Sequence, residues 1–191
     1  MLARRLFAAA LTLGLALTLP AAGEDPFASY VLNDTWFVLK VSGKGYHLNE
    51  SNEATKAKFK TTAYMELAGT ECLCLGGPSG QDYEVTLWTQ VSEGLWTDSH
   101  EDTWHFFGED TLMFVDESVD FAVGPLEYFS GSHTAKFTNK LDKGGRLKKS
   151  TYQSMGGLVT HGTTNGLDTA LGGYRIKGKS IHQSKLPFDP E

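Results

Sequence analysis

Apolar and polar residues alternate along this chain with a period of two, and that alternation constrains the fold more than any other feature. From Thr55 to Leu67 the alternate positions hold, on one side, Ala57, Phe59, Ala63, Met65 and Leu67, and on the other, Lys56, Lys58, Lys60, Thr62 and Glu66. Residues 83–91 alternate in the same way. Because successive side chains of a strand point to opposite faces, both segments are predicted to be half-buried β-strands.

Shorter runs rich in aromatic and β-branched residues predict further strands. These runs are Thr35 to Val41, Thr103 to Phe107, Thr111 to Val115, Val119 to Val123, Thr134 to Thr138, Leu147 to Ser154 and Tyr174 to Ile181. Turn signals separate them at Ser42–Gly45, Gly76–Gly80, Gly108–Asp110, Gly124–Pro125, Gly131, Lys143–Gly145, Gly156–Gly157 and Gly172–Gly173. This spacing is typical of successive antiparallel hairpins.

The apolar residues beyond position 23 show no convincing helical recurrence in any long window. We therefore expect an all-β fold, an antiparallel β-barrel or sandwich of about 9–11 strands in a single domain. The Gly-rich stretch from Met155 to Gly173 has little to bury and is predicted to be a surface loop. Asp116 to Asp120 is predicted to be a turn.

The first 23 residues have the pattern of a secretory signal peptide. Arg4 and Arg5 precede an apolar stretch from Leu6 to Leu19, and small residues follow before Glu24. The expected organisation is a signal peptide at 1–23 and one all-β domain at 24–191, exported to the periplasm or secreted. Beyond the leader the sequence contains no apolar run long enough for a spanning helix.

Export favours disulfides, but the chain has only two cysteines, Cys72 and Cys74. Two residues apart on a strand, they face the same side at a separation near the upper limit for a bridge. A buried pair of thiols, a tight disulfide and a functional pair all remain open from the sequence.

Charge is segregated along the chain. From Thr61 to Ala135 there are 14 acidic residues and no Lys or Arg, whereas Lys136 to Glu191 has ten basic and four acidic residues. One interpretation pairs the acidic middle strands with basic strands from the two ends, and the other leaves an acidic face that binds cations or a basic partner. Since the net charge after removal of the leader is about −8, nucleic acid and anionic membranes are expected to be poor partners.

Several possible metal ligands lie together between positions 98 and 105. They are Asp98, His100, Glu101, Asp102 and His105. Imidazole with carboxylate suits Zn²⁺ and carboxylates alone suit Ca²⁺ or Mg²⁺, so a divalent cation is a possible cofactor. The spacing fits no established metal motif, and a solvated acidic hairpin loop is the competing interpretation.

A tryptophan that opens the first strand and a succession of hairpins resemble the lipocalin-like (calycin) barrels. That family begins its first strand with Gly-x-Trp, and this chain has Asp34-Thr35-Trp36, with Asp34 in place of the glycine. The family also places a basic residue late in the barrel over this Trp, for which Arg175 is the counterpart here. The resemblance implies a barrel that carries a small apolar ligand.

The sequence thus predicts an exported, non-enzymatic binding protein, a carrier of a small apolar or aromatic ligand. Aromatic side chains such as those of Trp36, Trp88, Trp96 and Trp104 are expected in the core, or lining a cavity if the barrel is wide. The usual hydrolase and nucleotide-binding motifs are missing from the sequence, which weakens the case for an enzyme. The alternatives are a structural or partner-binding surface or periplasmic protein, a small outer-membrane barrel, and a metal-dependent accessory enzyme.

Overall fold

A computed structural model describes residues 26–48, 54–71, 80–122, 127–154, 158–163 and 171–190. Only the backbone is described for positions 45–48, 54, 55, 57, 59, 99–101, 117, 119–122, 127–133, 158–163, 171 and 172. The strands of this part of the chain are β1 (Thr35–Leu48), β2 (Ala54–Thr70), β3 (Gln81–Ser92), β4 (Leu95–Glu109), β5 (Leu112–Ala122), β6 (Glu127–Leu141), β7 (Leu147–Ser154), β8 (Leu158–Thr163) and β9 (Leu171–Ile181).

The strands form one antiparallel barrel. Each strand from β1 to β6 pairs with the next one along the chain, and β9 pairs with both β7 and β1. These eight strands close the barrel, and β8 adds a ninth that pairs with β6 and β9. The predicted all-β antiparallel architecture is confirmed.

Helical structure in the described ranges is limited to a 3-10 turn at Gln183–Lys185. In this part of the chain no helix is long and apolar enough to cross a membrane.

Large side chains fill the barrel near the end where β1 begins and β9 ends, which we call the closed end. The largest fully buried ones there include Phe37, Leu67, Tyr83, Phe106 and Phe137. Gly178 of β9 lies inside the same region, where an added Cβ would come within 2.5 Å of Leu39 Cδ2 and 3.1 Å of Tyr152 Cβ. The glycine is therefore needed for these two side chains, which come from the strands on either side of β9, to pack over it.

Residues 26–34 precede β1 and cover the closed end; we call them the plug. Leu32 is fully buried, and its backbone N–H donates to the Tyr83 hydroxyl at 3.1 Å. The same hydroxyl donates to Oε1 of Gln81, whose Nε2 donates to Asp110 at 3.1 Å. Burial raises the pKa of Tyr83 far above its usual value, so the phenol stays protonated and keeps this network intact.

Several predicted turns are wrong, because they lie inside strands. Ser42–Gly45 belongs to β1, Asp116–Asp120 to β5 and Gly131 to β6. Pairing with β6 keeps β5 extended, and the Thr134 hydroxyl donates to Asp116 Oδ1 at 2.5 Å. The segment from Asp98 to His105 lies within β4, not in a hairpin loop; the turn precedes it at Gly94, where φ is +75°.

The predicted surface loop from Met155 to Gly173 is wrong in part, because it contains β8 and the first residues of β9. The β7–β9 ladder ends at Gln153 and Lys177, and β8 continues the pairing of β9 from Leu158 to Thr160. The neighbouring strands supply the hydrogen bonds that hold this Gly-rich segment extended. Residues 155–157 and 164–170 lie outside the described residues.

Candidate functional site

Eight exposed cations cover the outer surface of β9, β1 and β2, and we call this surface the basic face. Its members are Lys40, Lys44, Lys56, Lys58, Lys60, Arg175, Lys177 and Lys179. They alternate along their strands with core residues such as Val41 and Ile176, so their side chains point away from the barrel interior. Nearly half of the chain's 17 Lys and Arg residues are on this one surface.

The strand register places cations directly opposite one another. Lys44 of β1 is paired with Lys58 of β2, and Lys40 of β1 is paired with Lys177 of β9. Like charges at opposed positions destabilise an antiparallel pair by about 0.2–1 kcal/mol. The basic face therefore carries an electrostatic cost in the absence of a bound anion.

Protection of a sheet edge accounts for only part of the basic face. Among the described residues β3 pairs with β2 only from Ala63 to Thr70, so the first part of β2, with Lys56, Lys58 and Lys60, has no β3 partner. Lysines on such an edge discourage edge-to-edge aggregation. The remaining cations lie on β1 and β9, which have neighbours on both sides, so their presence needs another reason.

Ser42 lies at the centre of the basic face. It is paired with Lys60 on one side and Arg175 on the other, and Lys40 and Lys44 are the next outward-facing residues along β1. Two depressions meet at Ser42, one of about 790 Å³ that includes Lys44, Lys58 and Arg175, and one of about 620 Å³ that includes Lys40 and Gln90. A hydroxyl surrounded by four cations is an arrangement that can bind carboxylate, sulfate or phosphate groups.

Within the described ranges, no ion pair joins a cation of the basic face to a carboxylate. The ion pairs there are Asp82–His105 and the local Asp142–Arg146. The predicted cross-strand neutralisation of acidic by basic strands is therefore not seen in this part of the chain. Glu66, an acid of β2, lies towards the closed end, where burial and the nearby Asp34 carboxylate raise its pKa.

The predicted metal ligands lie on β4. Asp98 and Asp102 are exposed, whereas the side chains of His100 and Glu101 are outside the described residues. Asp102 pairs with Val85 and His105 with Asp82 in an unbroken stretch of register, so Asp102 and His105 face opposite sides of the sheet. No cluster of three potential ligands occurs among the described side chains, and the five-residue site stays a prediction.

His105 instead contacts Asp82, a carboxylate that sequence reasoning did not single out. Nδ1 of His105 lies 2.5 Å from Oδ1 of Asp82, whose side chain is only 2% exposed on the outer side of β3. Gly80 allows the ring to approach, because a Cβ there would lie 2.6 Å from His105 Cε1. The imidazole thus compensates a buried carboxylate.

We expect His105→Ala to destabilise the protein by about 1–3 kcal/mol, because Asp82 loses its hydrogen-bonded partner. Adding Asp82→Ala to that variant should restore part of the loss, since the buried charge is removed as well. Urea unfolding at pH 7 measures both effects. The exposed His182 provides the control, because His182→Ala removes only the cap of the 3-10 turn. Equal stability of His105→Ala and His182→Ala would contradict this account.

The tryptophans divide between the inside and the outside of the barrel. Trp104 belongs to the core, as expected. Trp36, which is buried, and Trp88 and Trp96, which are partly exposed, lie on the outer side of the strands and contact Phe188 in the segment that follows β9. Arg175 is not placed over Trp36: Trp36 pairs with Ile181, six positions from Arg175, which is about 20 Å along a strand.

The barrel is consistent with a calycin-like architecture, but the motif residues of that family are not brought together. Comparison with protein-family models, curated proteins and solved structures gave no match. Cys72 and Cys74 lie outside the described residues, so their state stays a prediction.

Proposed function

We propose that the protein is an exported, non-enzymatic binding protein that holds an anionic partner against its basic face. The observation that carries this proposal is the pairing of Lys40 with Lys177 and of Lys44 with Lys58, around a serine flanked by two further cations. A fold that keeps like charges opposed loses stability, and a bound polyanion would recover it. Export is the expectation from the leader sequence, and it places the partner outside the cytoplasm.

The net charge of the whole chain does not oppose this function. Attraction between charges is screened within about 8–10 Å at physiological ionic strength, so a partner on the basic face responds mainly to the local cations. The acidic stretch at 61–135 contains all of β3, β4 and β5, whereas the basic face is formed by β9, β1 and the first part of β2. Segregated charge would also orient the partner on approach.

The test is a footprint of an anionic probe, poly-L-glutamate, on the isotope-labelled protein. Amide chemical shifts are expected to change at 40–44, 56–60 and 175–179, and to stay constant at 102–109 of β4. Changes spread over the whole barrel, or confined to other strands, would contradict the proposal. An oligonucleotide of equal charge, used as a second probe, tests the expectation that nucleic acid is a poor partner.

A second candidate function is the carrier of a small apolar or aromatic ligand in a lipocalin-like barrel. Away from the closed end several interior side chains are small, among them Ala63, Thr89, Ala135 and Ser154, although the buried Ile176 and Tyr174 also lie there. The buried Thr89 Oγ1 makes no hydrogen bond with a described residue, which would suit a ligand that offers a polar group. The test is binding of an uncharged apolar dye, followed by its fluorescence. Binding by the native chain that is lost in Ala63→Phe would support the carrier function.

A further inference from the structure

An aromatic site lies beside the basic face on the outer surface of β1 to β4. It is formed by Trp36, Tyr64, Trp88 and Trp96, and we call it the ring site. Tyr64 and Trp88 are opposed in the β2–β3 ladder. On the same strands, two residues away, Thr62 and Gln90 line the smaller depression of the basic face. The two sites are therefore only about 7 Å apart along the strands.

The ring site is occupied by the chain's own Phe188. Its ring stacks on Trp88 at 5.0 Å and on Trp96 at 5.2 Å between centroids, with interplanar angles of 28° and 29°. Tyr64 and Trp36 meet the same ring edge-on, at 5.5 and 6.4 Å. Four aromatic neighbours around one ring make a specific site for a planar apolar group.

The segment that carries Phe188 forms no strand with the barrel in the described part of the chain. After β9 ends at Ile181, the backbone hydrogen bonds at 182–186 are local, from Lys185 to His182 and from Leu186 to Gln183. Removing Phe188 from the ring site thus breaks no pairing of the barrel strands. The Nε1 atom of Trp88 is buried and makes no hydrogen bond with a described residue, so this donor is unsatisfied.

The sequence around Phe188 is acidic, Phe-Asp-Pro-Glu at 188–191. We infer that the ring site and the neighbouring basic face together bind an acidic peptide segment of a partner protein that carries an aromatic residue. The C-terminal segment of this chain resembles such a ligand and competes for the ring site. This inference rests on the proposed function, because the carboxylates of the partner would bind the basic face.

The ring site and the basic face complement such a peptide in two ways. The aromatic residue gains stacking contacts worth about 0.5–1.5 kcal/mol per pair beyond the burial of its area. The acidic residues gain attraction to cations that have no described carboxylate partner. Phe188 is tethered to the same chain and competes with the peptide for the ring site. The apparent affinity for the peptide falls by the fraction of time that Phe188 occupies the ring site, so removing Phe188 strengthens binding.

The test uses the 191-residue chain and a synthetic peptide with the sequence of residues 182–191. We expect Phe188→Ala to bind this peptide at least about tenfold more tightly than the native chain does, because the competitor is gone. Quenching of tryptophan fluorescence reports binding. Adding Trp88→Ala to the variant should abolish the gain, and a peptide with alanine for phenylalanine should bind both proteins equally weakly.

The matched control is Phe107→Ala, which removes a ring that is 39% exposed on another part of the barrel. Near-ultraviolet circular dichroism verifies that each variant is folded. Equal affinity of Phe188→Ala and the native chain for the peptide would overturn the inference, as would a gain that survives Trp88→Ala. The inference would also be overturned if Phe188→Ala bound an anionic polysaccharide more tightly than the native chain does but bound the peptide no more tightly.

Poly-L-glutamate distinguishes failure of this inference from failure of the proposed function. It offers carboxylates and no ring, so it should bind the native chain and Phe188→Ala with similar affinity. If poly-L-glutamate binds and the peptide shows no gain, the inference is wrong and the proposed function stands. If neither probe binds either protein, both are wrong.

Discussion

Replacing Phe137 by alanine is expected to destabilise the barrel by about 3–5 kcal/mol, the largest stability effect that we predict for one side chain. Phe137 is fully buried on β6. Its ring lies 5.5 Å from that of Phe37, 5.0 Å from that of Phe106 and 5.0 Å from that of Tyr152. These residues come from four strands, so the cavity would open where the two sides of the barrel meet.

Urea unfolding followed by far-ultraviolet circular dichroism measures the loss for Phe137→Ala. Phe107→Ala is the control, because Phe107 is 39% exposed and stacks only on Phe114 among the described rings, at 5.9 Å. If Phe137→Ala does not fold, Phe137→Leu should fold with an intermediate loss of stability. Similar losses for Phe137→Ala and Phe107→Ala would show that the interior is not the packed core described above.

Reversing the charge of the four cations around Ser42 is expected to weaken binding of an anionic probe by at least about 100-fold. The variant combines Lys40→Glu, Lys44→Glu, Lys60→Glu and Arg175→Glu. Each exposed ion pair contributes about 0.2–1 kcal/mol, and reversal replaces that attraction by repulsion of similar size. Four such changes amount to about 3 kcal/mol, which corresponds to a factor of about 100 in the dissociation constant.

A control variant with the same net charge separates the effect of the basic face from the effect of net charge. Lys140, Lys143, Lys148 and Lys185 are exposed and lie outside the basic face. Reversing these four changes the net charge by the same amount as the first variant. The native stability of the first variant should not fall, because glutamates at 40 and 44 would face Lys177 and Lys58 and remove two like-charge pairs.

The strand pattern was predictable because it is a local property of the sequence. Leu147 to Ser154 was predicted as a strand and is β7, and the alternation at 55–67 continues through most of β2. A period of two identifies the buried face of a strand without reference to its neighbours. Turns inside β1 and β5 were predicted wrongly because glycine and acidic residues there are held extended by pairing with β2, β9 and β6.

The basic face was missed because it depends on which strands become neighbours. When charge is counted by segment, Lys40 and Lys177 fall in different segments. Closure of the barrel brings β1 beside β9 and places these two lysines directly opposite each other. A local signal was present: cations alternate at 56, 58 and 60, and again at 175, 177 and 179. Each run by itself is typical of a solvated strand face, and only the register joins the runs into one surface.

The contact of Phe188 with the ring site was also beyond the sequence pattern. Trp36, Tyr64 and Trp88 occupy polar positions of the alternation, which would leave large rings in solvent. Such outward rings are a signal that something covers them. The sequence does not indicate that the covering residue follows the last strand of the same chain.

Anion binding by the basic face is tested by the dissociation constant of poly-L-glutamate, measured for the native chain and both charge-reversal variants at low and high ionic strength. We expect the native chain to bind at low salt and to lose most of its affinity at about 1 M salt, where charges are screened within about 3 Å. Reversal around Ser42 should weaken binding by at least about 100-fold, and the control should stay within a few-fold of the native chain. Equal weakening of the two variants, or no binding by the native chain at low salt, would contradict anion binding by the basic face.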